Sequence, residues 1–243
     1  MVFEKLIDRR IIKGEIISET PLHIGSGKKD LEIEDIDTPI LTDTSEQPYI
    51  PGSSIKGKVR SEAERIVRQS GQQVCNPPDV ERMCGTKVEN PDNFCICCKI
   101  FGTAAGGRGA KGKSVASKVK FRDAYPTENV DKRLTRAIIA LDRDTGSVSE
   151  HALAHTEAVP AGIRFDLEIV CDNMEEGELK LLRAALKSVQ DSALGGYSSR
   201  GFGKVRFRIK KIVKRSAKYY LGDEPEIVEN NELEAWQKEL GAE

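Results

Sequence analysis

Near the C-terminal end, the run Gly195-Gly-Tyr-Ser-Ser-Arg-Gly-Phe-Gly203 places four glycines in nine residues. Its flanks fix how such a run can fold. Before it, Leu179, Leu182, Ala185, Leu186 and Val189 recur at helical spacing over residues 177–190. After it, Val205, Phe207 and Ile209 alternate with Lys204, Arg206, Arg208 and Lys210, the period of a strand with one apolar and one basic face. A dinucleotide fingerprint needs the opposite order, a strand before the glycines and a helix after them. The order helix, glycine loop, basic strand suits instead a loop that grips a polynucleotide backbone. Glycines let the chain approach a ligand closely, successive N–H groups of the loop can hold phosphate oxygens, and Arg200 adds a planar fork matched to phosphate. Gly195, Gly196, Ser198, Arg200, Gly201 and Gly203 are therefore the candidate RNA-binding residues of the loop, with a tight helix-to-strand connection as the plain alternative.

Charge is unevenly spread although the formal net charge of the 243 residues is only −1. From Lys99 to Arg122 every charged residue is basic, whereas from Asp223 onward Lys238 is the only base. Local patches of this kind, rather than the sum, govern nucleic-acid binding. No apolar run approaches the length of a membrane span, and the N-terminus lacks a signal-peptide core, so a cytoplasmic protein without a membrane partner is expected. In that compartment cysteines are metal ligands or free thiols rather than disulfides.

Residues 9–19 read as a strand. Ser53 or Ser54 can cap a helix running to about Arg68, with Ile55, Val59, Ala63, Ile66 and Val67 at helical spacing. Val119–Arg122 alternates, and so do Ile163, Phe165, Leu167 and Ile169. The order strand, helix, strand, strand, helix, strand is that of an α+β, ferredoxin-like or RRM-like antiparallel sheet, which can carry helices on one face and leave the other for RNA. The whole chain, 1–243, reads as one such domain with insertions: a loop-rich lid at 21–50, a cysteine-bearing loop at 71–100, a projecting hairpin at 127–157, and an acidic tail at 214–243. Residues 103–117, rich in glycine and lysine, read as a mobile basic segment.

Several motifs occur in a telling order: His23-Ile-Gly25, Ile36-Asp-Thr-Pro39, Ile50-Pro-Gly-Ser-Ser-Ile-Lys-Gly57, Leu141-Asp-Arg-Asp-Thr-Gly146, Glu157-Ala-Val-Pro160 and the glycine loop. Together they resemble the RAMP superfamily, and within it the repeated backbone subunit of type III CRISPR effector complexes, of the Csm-type (III-A) branch, over residues 8–213. The resemblance implies subunits that stack with copies of themselves and with other effector subunits along a guide CRISPR RNA. It makes 127–157 a thumb that inserts between guide and complementary target RNA and displaces one nucleotide pair. It implies that Asp37 cuts the target beside the displaced nucleotide, using Mg²⁺ or Mn²⁺. It also implies guide contact through Ser53, Ser54, Lys56 and Arg60, the last two standing at i, i+4 on one helical face.

The residues themselves leave alternatives open. Asp37, beside Glu34 and Asp35, could accept a proton from an RNA 2′-hydroxyl, hold a divalent metal, or merely cap a turn before Thr38-Pro39. His23 could contact phosphate, act as acid–base, or make a structural hydrogen bond. A binding-only backbone subunit and a RAMP endonuclease that processes precursor guide RNA through His23 remain competing readings. Cys75, Cys84, Cys95 and Cys98 could complete a tetrahedral structural Zn²⁺ site in a loop too polar to build its own core, with Cys97 as a possible substitute ligand.

Overall fold

The computed structural model describes residues 5–241 apart from 27–35, 77–78, 80–81, 105–112, 142 and 145. Its elements, in chain order, are β1 (Asp8–Ser18), α1 (Gly52–Gln69), α2 (Cys84–Lys87), α3 (Ile96–Phe101), β2 (Val119–Phe121), β3 (Leu134–Leu141), β4 (Val148–Ala158), β5 (Arg164–Asp172), α4 (Glu176–Asp191), β6 (Val205–Ser216), α5 (Ala217–Leu221), β7 (Ile227–Val228) and α6 (Asn230–Leu240). The main sheet has the order β2-β5-β1-β6-β7, with every neighbouring pair antiparallel. Omitting β7, this is the ferredoxin-like arrangement, the first strand pairing with both the third and the last.

The strand alternations become the buried face of that sheet. Ile12, Ile16, Phe165, Leu167, Ile169, Phe207 and Ile209 pack with Ile55, Val59 and Ala63 of α1 and Leu179, Leu182, Leu186 and Val189 of α4 in one hydrophobic cluster. A bulge shifts the β1–β6 register between Lys13 and Gly14, so Lys13 pairs with Lys211 but Gly14 with Ile209. The inward phase of β6 accordingly moves from Ile209 to Ile212.

Four expectations change on contact with the structure. Neither Ser53 nor Ser54 caps α1: Pro51 is the N-cap, and the Gly52 N–H donates to Asp123 Oδ1 at 2.8 Å. The described part of 21–50 is no lid. It is stitched into the body by isolated bridges (Leu22 to Val159, Thr38 to Thr156, Ile50 to Ala124) and buries Leu22, Ile24, Ile40 and Ile50. The acidic tail, read as an appendage of the domain, is part of its packing. Its α6 docks on α4 and β6, Trp236 is buried, and Arg183 of α4 bonds Glu176, Glu232 and Glu239. The basic face of β6 is largely neutralised, because Arg206 pairs with Glu19, Lys210 with Glu15, and Lys211 and Arg215 with Glu226. Those acids lie far from β6 in sequence or beyond its end.

Strands β3 and β4 form a separate two-stranded hairpin over 134–158, one residue past the expected 127–157, with Leu134 opposite Ala158 at its root. Ile139 and Leu153 face each other across it and are both half exposed. Asp142 and Thr145 of the Leu-Asp-Arg-Asp-Thr-Gly motif lie outside the described residues, as do Gly27, Glu34, Asp35, Arg108 and Lys111.

Candidate nucleic-acid interface and metal cluster

The hairpin root is where distant motifs meet. Thr38 forms a parallel bridge with Thr156 of β4. The Asp37 and Thr38 N–H groups donate to the His155 carbonyl at 3.0 and 3.3 Å, and the Glu157 N–H donates to Thr38 O at 3.1 Å. Asp37 Oδ2 in turn accepts the His155 N–H at 2.8 Å. The carboxylate is therefore oriented by β4 and not by a local turn, while the residue itself stays exposed. Next to it, Tyr197 OH lies 3.4 Å from Thr38 Oγ1, which lies 3.0 Å from Thr156 Oγ1, tying the glycine loop to the same spot.

His23 sits beneath. Its Nδ1 lies 2.7 Å from the Glu157 carbonyl oxygen, and since that oxygen only accepts, Nδ1 carries the proton. The ring is buried, packed edge-on to Tyr197 with centroids 5.0 Å apart. The structural hydrogen bond weighed for His23 is thus made, and the ring is covered rather than presented to a ligand. Glu157, also buried, was quoted only as part of a motif. Its Oε2 accepts the Ile40 N–H at 3.0 Å and its Oε1 accepts from Arg133 at 3.0 Å, clamping the Asp37 segment to the neck of the hairpin.

The glycine loop is closed at its neck by Leu194 N–H to Gly203 O and Gly203 N–H to Pro21 O, both 2.8 Å. Gly196 N–H donates to His23 O at 2.9 Å and Gly201 N–H to Ser198 O at 3.2 Å. These N–H groups are consumed inside the fold. Ser198, Ser199 and Arg200 are exposed on the loop, the Arg200 guanidinium 5.8 Å from the Tyr197 ring centroid. Phe202 is buried under Arg136 of the hairpin, whose guanidinium lies 4.6 Å from the ring centroid. Gly195 is the residue that permits the close approach: a Cβ there would overlap the His23 carbonyl oxygen, and its φ is +84°.

On α1, Ser53 is exposed and Ser54 and Lys56 are half-buried. Burial and the neighbouring Arg60 charge lower the Lys56 pKa, yet no hydrogen bond or ion pair engages its ammonium among the described residues. Arg60 is committed elsewhere. It donates to Glu64 Oε1 and to the Gly102 carbonyl, each at 2.9 Å, and to Cys98 Sγ at 3.6 Å. Burial works against its charge, but the Glu64 and Cys98 contacts outweigh that and raise its pKa.

The sulfurs of Cys75, Cys84, Cys95 and Cys98 lie within 4.8 Å of one another, with Cys75 3.2 Å from Cys98 and 3.8 Å from Cys95. Zn–S bonds of about 2.3 Å put tetrahedral sulfurs about 3.8 Å apart, so the cluster has the size of a metal site such as that for zinc. Its charges fit as well. The hydrogen bond from Cys98 pulls the Cys95 thiol down to about 4, whereas burial pushes Cys84 up to about 11 and the bond to Cys95 pushes Cys98 up. Four thiolates this close together require a cation among them. Cys97 is excluded as a substitute: it points into the main core, and burial raises its thiol to about 12. Cys171 is likewise core.

Residues 15–206 match the model of the RAMP superfamily. Two relatives, each described as the CRISPR system Cms endoribonuclease Csm3, come from Methanocaldococcus jannaschii and Methanothermobacter thermautotrophicus. Both are 33% identical to this chain, covering 93% and 88% of it and 89% of the relative in each case. Among solved structures, the Csm3–Csm4 subcomplex of a type III-A CRISPR-Cas interference complex contains a chain 25% identical at a TM-score of 0.54, covering 96% of this chain and 97% of that one. Csm3 of Methanopyrus kandleri, also 25% identical, gives a TM-score of 0.58 over 88% of this chain and 80% of that one. The chain belongs to the RAMP superfamily and, within it, to the Csm3 family.

Proposed function

We propose that this chain is a repeated backbone subunit of a type III CRISPR effector complex, binding guide RNA and cutting the complementary target RNA at Asp37. The observation that carries the reading is the placement of Asp37: an exposed carboxylate, held by the His155 N–H at 2.8 Å, at the root of a projecting hairpin. A hairpin wedged into the guide–target duplex unstacks a nucleotide at a cost of a few kcal/mol. The freed backbone can then place its 2′-hydroxyl in line with the adjacent phosphorus. Asp37 accepts the hydroxyl proton as the O2′–P bond forms and the P–O5′ bond breaks, leaving a 2′,3′-cyclic phosphate and a 5′-oxygen that takes a proton from water. Mg²⁺ or Mn²⁺ held by Asp37 would stabilise the added charge on the phosphoryl oxygens.

Lys56, Ser53 and Ser54 on α1, with Ser198 and Arg200 of the glycine loop, supply the guide-binding groups in this reading. Gly195, Gly196, Gly201 and Gly203 shape the loop, and His23 holds its base. Cys75, Cys84, Cys95 and Cys98 hold a structural Zn²⁺ that orders the insertion around α2 and α3. Partners are further copies of the chain and other type III subunits, as in the Csm3–Csm4 subcomplex.

The test uses the assembled complex with its guide and labelled complementary RNA in Mg²⁺. A regularly spaced ladder for the wild type, abolished in Asp37→Ala with target affinity retained, is expected. Uncut but tightly bound target in the wild type would leave a binding-only subunit and refute the catalytic role.

A further inference from the structure

Arg60 was expected on an RNA-facing surface, yet apart from Glu64 on its own helix its donor contacts turn to α3 and its C-cap. Nε is anchored by Glu64, Nη1 by the carbonyl of Gly102, and Nη2 reaches Cys98 Sγ at 3.6 Å. Gly102 is the C-cap of α3, and Cys98 lies on α3. The guanidinium therefore bridges α1 to both the end of α3 and one sulfur of the cluster. It is a cation held at the edge of four converging thiols.

We infer that Arg60 is a positioning residue of the zinc site, a hydrogen-bond donor to the Cys98 thiolate that raises metal affinity, and not a guide-RNA ligand. The inference rests on the reading that the cluster holds Zn²⁺. A divalent ion with four thiolates carries two net negative charges in a partly buried place, and such charge needs offsetting. Arg68, Arg82 and Lys87 line the cavity beside the cysteines, but no hydrogen bond joins any of them to a sulfur among the described residues. Among the described residues Arg60 is the cation that bonds a ligand sulfur. Partners one step removed from the metal orient the ligands and typically contribute 10–100-fold in affinity. Planarity matters here: a guanidinium serves a carboxylate, a carbonyl and a sulfur at once, in directions one ammonium does not reproduce.

The test compares the full wild-type chain with Arg60→Gln and Arg60→Lys. Zinc affinity is measured by competition with a chromogenic chelator, with circular dichroism as a check on folding. Guide-RNA affinity is measured separately in saturating zinc. The expected result is a 10–100-fold loss of zinc affinity in Arg60→Gln and a smaller loss in Arg60→Lys, with RNA affinity at saturating zinc unchanged. The sulfur-to-metal charge-transfer band of the cobalt-loaded protein should shift in both. If Arg60→Gln does not fold, Arg60→Lys decides alone, since it keeps the charge and stem. Zinc affinity within twofold of wild type in a folded variant, or a loss of RNA affinity with zinc affinity intact, would overturn the inference and leave the zinc reading standing. A wild-type chain that binds no zinc in the same titration would overturn both.

Discussion

Replacing Gly195 with alanine probes the join between the glycine loop and the Asp37 site. Two penalties combine there. The backbone is left-handed, with φ at +84°, which costs a residue with a Cβ about 1–2 kcal/mol. The Cβ also overlaps the His23 carbonyl oxygen, the acceptor of the Gly196 N–H, so the loop must lift and give up that bond at about 1–3 kcal/mol. Reduced freedom of the unfolded chain returns about 0.4–1 kcal/mol. The net loss is about 1–5 kcal/mol. Gly201→Ala is the matched control: its φ is +86° but a Cβ there meets nothing within 4 Å, so only the backbone penalty applies, about 1 kcal/mol net. Urea unfolding of the isolated chain should give a lower midpoint for Gly195→Ala than for Gly201→Ala at equal slope. In the assembled complex, the lifted loop should also slow target cutting in Gly195→Ala alone. Equal stability losses in the two variants would refute the argument that close approach, and not backbone conformation, is what Gly195 provides.

Other expectations follow from the same structure. Trp236→Ala empties a fully buried site between α6, α4 and β6 and should cost about 3–5 kcal/mol by thermal or denaturant unfolding, while cutting per folded complex is unchanged. Loss of cutting without loss of stability would contradict the docking of the tail. Asp172 is held below its usual pKa: burial opposes this, but hydrogen bonds from Arg9 and Lys120 prevail. A depressed folded-state pKa means this stabilisation is present above the unfolded value of about 4 and is lost as pH falls below it. Asp172→Asn should therefore flatten the acid limb of stability below about pH 4, and an unchanged acid limb would show that other carboxylates govern it.

What the sequence made legible was whatever one local period carries. β5 alternates because one face lies on α1 and α4, and α4 shows its stripe because it covers the same core. Residues 21–50 show no period because they bury single side chains through isolated bridges. The hairpin lacks one because its two strands form a sheet apart from the main one, whose core sets the apolar faces of the other strands. The cysteine cluster was readable from composition, whereas the exclusion of Cys97 required knowing which way α3 faces. The rest of the site depends on partners far apart along the chain. Asp37 is oriented by His155, Gly52 is capped by Asp123, and the charges of β6 are met by Glu15 and Glu19. The role of Glu157 could have been suspected from a lone acid preceding Ala-Val-Pro, next to a strand end, but its two clamped partners are visible only in the fold.

The most direct test of the central claim is cutting by Asp37→Asn in the assembled complex. Asparagine keeps an oxygen to accept the His155 N–H at the hairpin root, so the segment should stay in place. What it lacks is the carboxylate charge and basicity. The account predicts wild-type stability and target binding with no cleavage ladder. A variant that still cuts at the wild-type positions and rate would show that the Asp37 carboxylate does not carry the chemistry.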